Sequence, residues 1–372
     1  MPVLLKGDCD MTKVKTILAE AIKSKASDVH INVGLPPIFR TNTELFEAGF
    51  PIVSSENAKE MVLDMVGLDR FKKLEDKKDL DFSTTIEDGH RFRVNAHYQR
   101  ETIAIAFRVI PNQIPSIDDL NLPPIAKGLT DLPRGLVLVT GHTGSGKSTT
   151  LASMVGLINR KYKKHIITLE DPIEYMLENE TSVIEQREVG FDCPDFASGL
   201  KHALRQDPDI IMVGEMRDLE TTSSTITAAE TGHLVFSTLH TMNAPQTIER
   251  IIDIYPANQQ DQIRTMLANT LQAVISQTLF KRIDTPGMVP CTEILLCTVA
   301  VRNCIRENRV YEIPNIIETS RTFGMQNMDM SIADMYSKGF IDRNEAIARS
   351  ANPGKMEKTL APMQFEVVQP AR

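Results

Sequence analysis

The octapeptide Gly141-His142-Thr143-Gly144-Ser145-Gly146-Lys147-Ser148 stands between an apolar run, Gly135–Thr140, and a helix-forming run, Thr149–Ile158. It matches G-x-x-x-x-G-K-[ST], the pattern of a phosphate-binding loop, and it has the strand before and helix after that such a loop requires. The pattern has a physical reason. Glycines let backbone N–H groups curl around phosphate oxygens, Lys147 reaches the β- and γ-phosphates, and Ser148 offers a hydroxyl to Mg²⁺. The candidate nucleotide-binding set is therefore Gly141, Thr143, Gly144, Ser145, Gly146, Lys147, Ser148 and Thr149. A strand–loop–helix unit of this kind belongs to an α/β fold.

Working outward, His165–Leu169, Asp209–Val213 and Leu234–Leu239 are short apolar runs that read as further buried strands. Two of them end in acids. Glu170-Asp171-Pro172-Ile173-Glu174 closes the first, and Gly214-Glu215-Met216-Arg217-Asp218 follows the second. A carboxylate at the carboxyl end of a strand beside the P-loop strand polarises water or holds Mg²⁺ through water. Gly214 fills the usual Walker-B aspartate position, so the acid falls to Glu215, with Glu170 as the alternative. The third strand runs into Thr238-Leu239-His240, which aims His240 at a γ-phosphate, whereas His233 before it reads as a structural histidine in a turn. Beyond Pro256, the spacing of Ile263, Met266, Leu267, Leu271, Val274 and Ile275 predicts a long amphipathic helix. The chain to about Ser350 reads as largely helical, and residues 351–372, with three prolines, read as a flexible tail.

Upstream the pattern differs. Val14, Ile17, Leu18 and Ile22 mark a short amphipathic helix. From Asp81 to Val109 the alternation is strand-like, with Glu87-Asp88-Gly89 as a hairpin turn. There Phe92, Val94, Ala96 and Tyr98 alternate with Arg91, Arg93, Asn95 and His97, so both arginines share one face. Four prolines between Pro111 and Pro124 mark a linker. The expected domains are thus residues 1–111, a linker over 112–124, a P-loop core over 125–290, a helical region over 291–350 and the tail over 351–372.

Composition narrows the class. The 372 residues, 42% hydrophobic and 24% charged, suit a soluble globular chain of at least two domains. The longest apolar run, around Ile294–Val301, falls far short of the ~20 residues of a membrane span. Residues 1–10 lack the pattern of a signal peptide, so the chain is expected in the cytosol. Cys9, Cys193, Cys291, Cys297 and Cys304 form no CxxC pair and read as reduced core thiols rather than zinc ligands.

These boxes together resemble a family. The P-loop, LEDPIEY at Leu169–Tyr175, GEMRD at Gly214–Asp218 and TGHLVFSTLH at Thr231–His240 are similar to the secretion-ATPase superfamily (GspE/PulE-like). Within it the chain resembles the PilT/PilU-type retraction motors of type IV pili. SDVHINVGLPP at Ser27–Pro37 and RFRVNAHYQR at Arg91–Arg100 extend the likeness over residues from about 14 to 345. AVRNCIRE at Ala300–Glu307 is similar to a motif of retraction motors, with Val301 and Cys304 as departures. His142 stands where relatives often carry proline, and 351–372 match no shared motif.

The resemblance implies a PAS-like α+β N-terminal domain, a RecA-like P-loop ATPase domain and a helical C-terminal region. It implies a homohexamer that hydrolyses Mg·ATP in the cytoplasm, at the inner-membrane face. Its partners would be an inner-membrane pilus platform protein and a paralogous retraction ATPase, with no nucleic acid. Arg91, Arg93 and Arg100 become candidate arginine fingers, and Arg302, Asn303, Arg306 and Glu307 the polar face of a motor motif. The nearest alternative is a pilus-assembly or type II secretion ATPase, but such relatives usually carry an extra N-terminal domain and a four-cysteine zinc site. A RecA-like nucleic-acid motor is disfavoured by the absence of Trp, 5% aromatics and a net charge of −8. A non-hydrolysing regulator would lack Glu170 and Glu215.

Overall fold

The computed structural model describes residues 14–41, 44–110 and 113–361. Its residues group into two compact units, 1–113 with 172–176, and 114–171 with 177–372.

In the first unit α1 (Val14–Lys23) precedes β1 (Asp28–Asn32), β2 (Ile38–Thr41) and β3 (Glu44–Glu47). Then come α2 (Ser55–Lys77), β4 (Asp79–Thr85), β5 (Arg91–Gln99) and β6 (Thr102–Ile110). The strands form one sheet in the order β3-β2-β1-β6-β5-β4, and every neighbouring pair is antiparallel. Of the apolar positions expected on α1, Val14, Ile17 and Leu18 are buried, joined by Ala21, while Ile22 is only half-buried. Ser54 caps α2 by accepting from Asn57 N–H while the Asn57 side chain accepts from Ser54 N–H, which satisfies donors the helix start leaves open. The period-2 reading of β5 holds. Phe92, Val94 and Ala96 are buried with Phe82, Ile105 and Phe107 beneath the helices, and the arginines take the other face.

The second unit carries α3 (Ile125–Leu129), β7 (Gly135–Thr140), α4 (Lys147–Lys161), β8 (His165–Glu170) and β9 (Val183–Glu188). It continues with α5 (Phe196–Ala203), β10 (Ile210–Val213), α6 (Leu219–Glu230), β11 (Leu234–Leu239), α7 (Ala244–Asp253) and α8 (Gln260–Thr270). The hairpin β12 (Leu271–Lys281) and β13 (Met288–Leu296) leads to α9 (Val299–Arg306) and α10 (Ile313–Thr319). Last come α11 (Met328–Ser337), α12 (Arg343–Ala348) and α13 (Pro353–Leu360). The sheet order is β13-β12-β7-β11-β10-β8-β9, parallel except for the β12–β13 pair. Strand alternation explains the unbroken apolar runs. Leu136, Leu138, Ile211, Val213 and Val235 face a core under α6 to α9, while Val137, Val139, Ile210, Met212 and Phe236 face one under α4. Burial on both faces is what parallel strands demand. All the strands that carry a chemical motif therefore present their carboxyl ends along one edge.

Three expectations for the C-terminal half need correction. The helix beyond Pro256 stops at Thr270, and Leu271, Val274 and Ile275 lie on β12. A doubly buried strand and a helix face give similar apolar runs. Pairing with β7 on one side and β13 on the other decides for strand. That hairpin also replaces the start of the expected helical region at 291. The expected tail is partly folded. Asn352 caps α13 by accepting from Lys355 N–H, Pro353 opens the helix, and Met356 and Leu360 enter the core with Phe280 and Ile332. Residues 362–372 lie outside the described residues.

Among the described residues, no helix is long and apolar enough to cross a membrane. Cys193, Cys291, Cys297 and Cys304 are free and buried, and burial pushes the Cys291 and Cys297 thiols up to about 12. Cys9 lies outside the described residues.

Candidate functional site

β7 ends at Thr140, whose hydroxyl donates to Ser276 Oγ of β12 at 3.0 Å. The chain then turns tightly at two glycines. At Gly141 (φ 144°) a Cβ would lie 2.3 Å from the Gln277 carbonyl oxygen, and at Gly146 (φ 86°) 2.7 Å from Gln277 Nε2. Both take a positive φ that glycine adopts without strain, and at Gly141 the clash would be with backbone. Thr143 and Gly144 are exposed at the tip, Ser145 is buried, and α4 begins directly at Lys147 with no side-chain cap. Its first N–H groups and its dipole thus face the loop, an arrangement that favours an anion. Ser148 is exposed, and Thr149 follows on the first turn.

Three residues singled out from the sequence meet here. Lys147 Nζ donates to the carbonyls of Gly141 (2.9 Å) and His142 (3.0 Å) and lies 3.4 Å from His240 Nδ1. His240 Nε2 is 3.0 Å from Glu215 Oε1, and Glu215 Oε2 is 2.8 Å from Arg217 Nη2. An ammonium only donates, so Nδ1 is the accepting nitrogen and Nε2–H is donated to Glu215. Burial pushes the Glu215 carboxyl up, but the Arg217 guanidinium and His240 outweigh it and hold the group below the usual carboxylate range. Glu215 is therefore a carboxylate at neutral pH, suited to ordering a water molecule.

The acid sits at 215 for a packing reason. Gly214 N–H donates to Leu169 O at 2.8 Å, and a Cβ at 214 would lie 3.2 Å from that oxygen and 3.4 Å from the Phe196 ring. A side chain at 214 would crowd the Leu169 carbonyl and the Phe196 ring. Glu170, at the end of β8, is buried and accepts from Thr168 Oγ1 at 2.7 Å and Gln186 Nε2 at 3.1 Å. His233 Nδ1 faces the Ala228 carbonyl at 2.9 Å and so holds its turn.

The arginines of β5 separate into two places. Arg91 Nη2 donates to Ser83 Oγ at 2.5 Å and Nη1 contacts Met176 Sδ at 3.2 Å. Arg93 Nη1 lies 3.6 Å from Glu174 Oε1. Both thus meet the segment that continues the acidic box at Glu170. Arg100 forms the two-residue turn to β6 with Glu101, both at positive φ. Along an extended strand that is on the order of 30 Å from Arg91, so one phosphate cannot meet both ends of the strand in one chain.

In the motor motif, Arg302 is half-buried. It donates to the Ala268 and Asn269 carbonyls (3.0 Å to the latter) and to Gln272 Oε1 at 3.1 Å, closing the C-terminal end of α8. Arg306 bridges Asn303 Oδ1 (3.0 Å) and Asn269 Oδ1 (2.9 Å), and Glu307 pairs with Arg309.

Sequence reasoning passed over Gln277, Arg217, Thr168 and Gln186. A clue existed for the first, since Ser276-Gln277-Thr278 interrupts an otherwise apolar strand and buried polar side chains need partners.

Among the described residues, no three His, Cys, Asp or Glu side chains gather to hold a metal alone. A magnesium ion that arrives with a nucleotide needs fewer protein ligands. The exposed Ser148 hydroxyl, with carboxylates at the ends of β8 and β10, is a hard-oxygen donor set that fits it.

Comparison with known proteins agrees with this geometry. The profile of type II/IV secretion system proteins matches residues 9–309. The type IV pilus retraction ATPase PilT of Pseudomonas aeruginosa is 43% identical over 340 residues, covering 91% of this chain and 98% of the relative. A twitching motility protein of Neisseria gonorrhoeae is 43% identical over 320 residues, covering 86% of each. The crystal structure of the pilus retraction motor PilT with bound ADP superposes with a TM-score of 0.86 at 42% identity, over 93% of this chain and 99% of that one. With its P-loop, acids and histidine on one sheet edge, this chain belongs to the type II/IV secretion system protein family.

Proposed function

We propose that this chain is a hexameric ATPase motor that couples Mg·ATP hydrolysis to retraction of type IV pili and so drives twitching motility. The observation that carries the reading is the continuous chain Lys147–His240–Glu215 at the mouth of the P-loop. Kinship with PilT over nearly the whole length of both chains supports the pilus assignment.

In this reading the loop N–H groups and Lys147 bind the phosphates, and Ser148 holds Mg²⁺, with Glu170 and Glu215 acting on it through water. When bound, the ion neutralises phosphate charge. Glu215 orients the water that attacks the γ-phosphorus, with Glu170 as the alternative. The bond to the bridging oxygen breaks and ADP and phosphate leave. His240, in contact with both the P-loop amine and Glu215, reports whether a γ-phosphate is present. Arginines of the Arg91–Arg100 strand in a neighbouring subunit stabilise the charge that develops, Arg91 and Arg93 from one end or Arg100 from the other. Residues 1–111 form the PAS-like domain, 112–124 the hinge and 125–290 the ATPase core. The ring works in the cytoplasm against an inner-membrane platform protein, alongside a paralogous retraction ATPase and without nucleic acid.

The test is Mg·ATP turnover on size-fractionated protein, with and without DNA, beside rescue of twitching in cells that lack the chain. Turnover confined to the oligomer, indifferent to DNA and accompanied by restored twitching is the expected result. A monomer fraction at full rate per subunit sinks the shared-site reading, and DNA stimulation sinks the pilus assignment.

A further inference from the structure

Gln277 is buried on β12, one residue beyond the Ser276 that accepts from Thr140. A carboxamide taken out of water is tolerated only when its donors and acceptor are used. Its partners are both in the phosphate-binding segment. Nε2 donates to the Ser145 carbonyl at 2.7 Å, and Oε1 accepts from Thr150 Oγ1 at 2.9 Å. The backbone of the same residue closes the start of the loop, since its carbonyl oxygen is what a Cβ at Gly141 would strike. Its Nε2 likewise excludes a Cβ at Gly146. One side chain therefore touches the loop at its last turn and at the first turn of the helix, while its own peptide group touches the entry.

The Ser145 contact has a direct consequence for ligand binding. A trans peptide is planar, so its C=O and the following N–H point in opposite directions. Holding the Ser145 carbonyl toward β12 turns the Gly146 N–H away from β12 and into the loop, where a phosphate oxygen needs a donor. Without that bond the 145–146 peptide turns more easily, because its rotation is about Ser145 ψ and the φ of Gly146, a residue with no Cβ to resist it.

We propose that Gln277 is a positioning residue for nucleotide binding: its carboxamide, wedged between the Ser145 carbonyl and the Thr150 hydroxyl, presets the phosphate-binding loop. The proposal rests on the ATPase reading and adds to it a residue about 130 positions from the motif, on a different strand. A preset loop binds ATP and ADP more tightly and leaves the chemical step nearly untouched, because the N–H it orients meets phosphate in ground and transition state alike.

Two variants test this. Gln277→Met keeps the volume and loses both hydrogen bonds. Gln277→Glu is isosteric, still accepts from Thr150, and turns an oxygen instead of an N–H toward the Ser145 carbonyl. The wild-type chain is measured first, by calorimetry for ADP and by steady-state turnover for Mg·ATP. If it neither binds ADP nor turns over ATP, the ATPase reading itself fails, before any variant is made. Given an active wild type, Gln277→Met is expected to raise the ADP Kd and the ATP KM together by about tenfold, with kcat within threefold. Gln277→Glu, with repulsion added, is expected to raise both by about 100-fold. Wild-type ADP affinity in either folded variant overturns the proposal. So does a fall in kcat at unchanged KM, which would place the residue in catalysis or in general stability.

Discussion

Two polar clusters in the second unit put their side chains to opposite uses. At the mouth of the P-loop, Lys147, His240, Glu215 and Arg217 hold one another through contacts of 2.8–3.4 Å, and His240 and Arg217 are open to solvent. At the α8–α9 junction, Arg302 directs its donors at helix-terminal carbonyls and a strand side chain, all fixed parts of the fold. The first network is made of charged side chains at the loop that, on the proposed reading, exchange partners when a phosphate arrives. The second fills needs that every helix end has. Substitutions in the first should therefore change turnover and leave stability alone, and in the second the order should reverse.

The largest effect is expected from Lys147→Ala. It removes the cation that meets the phosphates and should take Mg·ATP turnover to background. The melting temperature without nucleotide should move by less than about 4 °C, because the two hydrogen bonds lost, to the buried Gly141 carbonyl and the part-buried His142 carbonyl, are few against a unit of this size. A mutant that melts far lower would show the P-loop amine to be structural, and the contrast between the clusters would fail at its strongest point. Next is Glu215→Gln, which keeps the shape and loses the charge that orders water, and should slow hydrolysis at least ~100-fold while ATP still binds. Glu170→Gln is the comparison. If it is dead while Glu215→Gln stays fast, the two acids exchange roles.

A smaller effect tests the electrostatics within the first cluster. Burial alone would raise the Glu215 carboxyl, and Arg217 is the main group that brings it below the ordinary 4.5. Arg217→Ala should therefore raise it, and a carboxylate needed in its charged form should be lost at higher pH. The acid limb of the kcat profile is expected to move to higher pH, with turnover at pH 8 changed only a few-fold. The sign for stability follows. A carboxyl depressed in the folded state stabilises the fold above its unfolded value and ceases to as pH falls through the folded one. The variant should lose that share above about pH 4.5. An unmoved acid limb would show that Glu215 is not the group that titrates in turnover.

How much of this was legible depended on distance along the chain. The P-loop, the acids and His240 are local patterns on strands whose apolar runs are unmistakable, and the sheet brings their carboxyl ends together by topology alone. The choice of 215 over 214 was legible as a fact and not as a cause, since the reason is the Leu169 carbonyl 45 residues away. β12 was misread because Leu271, Val274 and Ile275 satisfy a helical spacing, and only pairing with β7 rules it out. The partners of Gln277 and Arg302 were illegible for the same reason, being distant in sequence and known only once β12 is placed. In α13 the cues were present, an Asn cap followed by Pro353, but a proline-rich composition outweighed them.

The smallest effects lie in the second cluster, and they divide its two arginines. Arg302 is half-buried, and its charged donors reach carbonyls that the end of α8 leaves open. Removing it leaves those oxygens without a partner at a crowded junction, so Arg302→Ala should cost about 1–3 kcal/mol by urea denaturation. Arg306 is exposed, and its partners Asn303 and Asn269 hydrate freely when it is gone, so Arg306→Ala should cost no more than ~0.5 kcal/mol. Basal ATP turnover should stay near wild type in the Arg306 variant. The informative reading is twitching. If Arg306→Ala hydrolyses ATP normally and the cells no longer retract, this face of α9 passes motion to something outside the chain. If they retract normally, the junction is only packing, and the contrast with the P-loop cluster is complete.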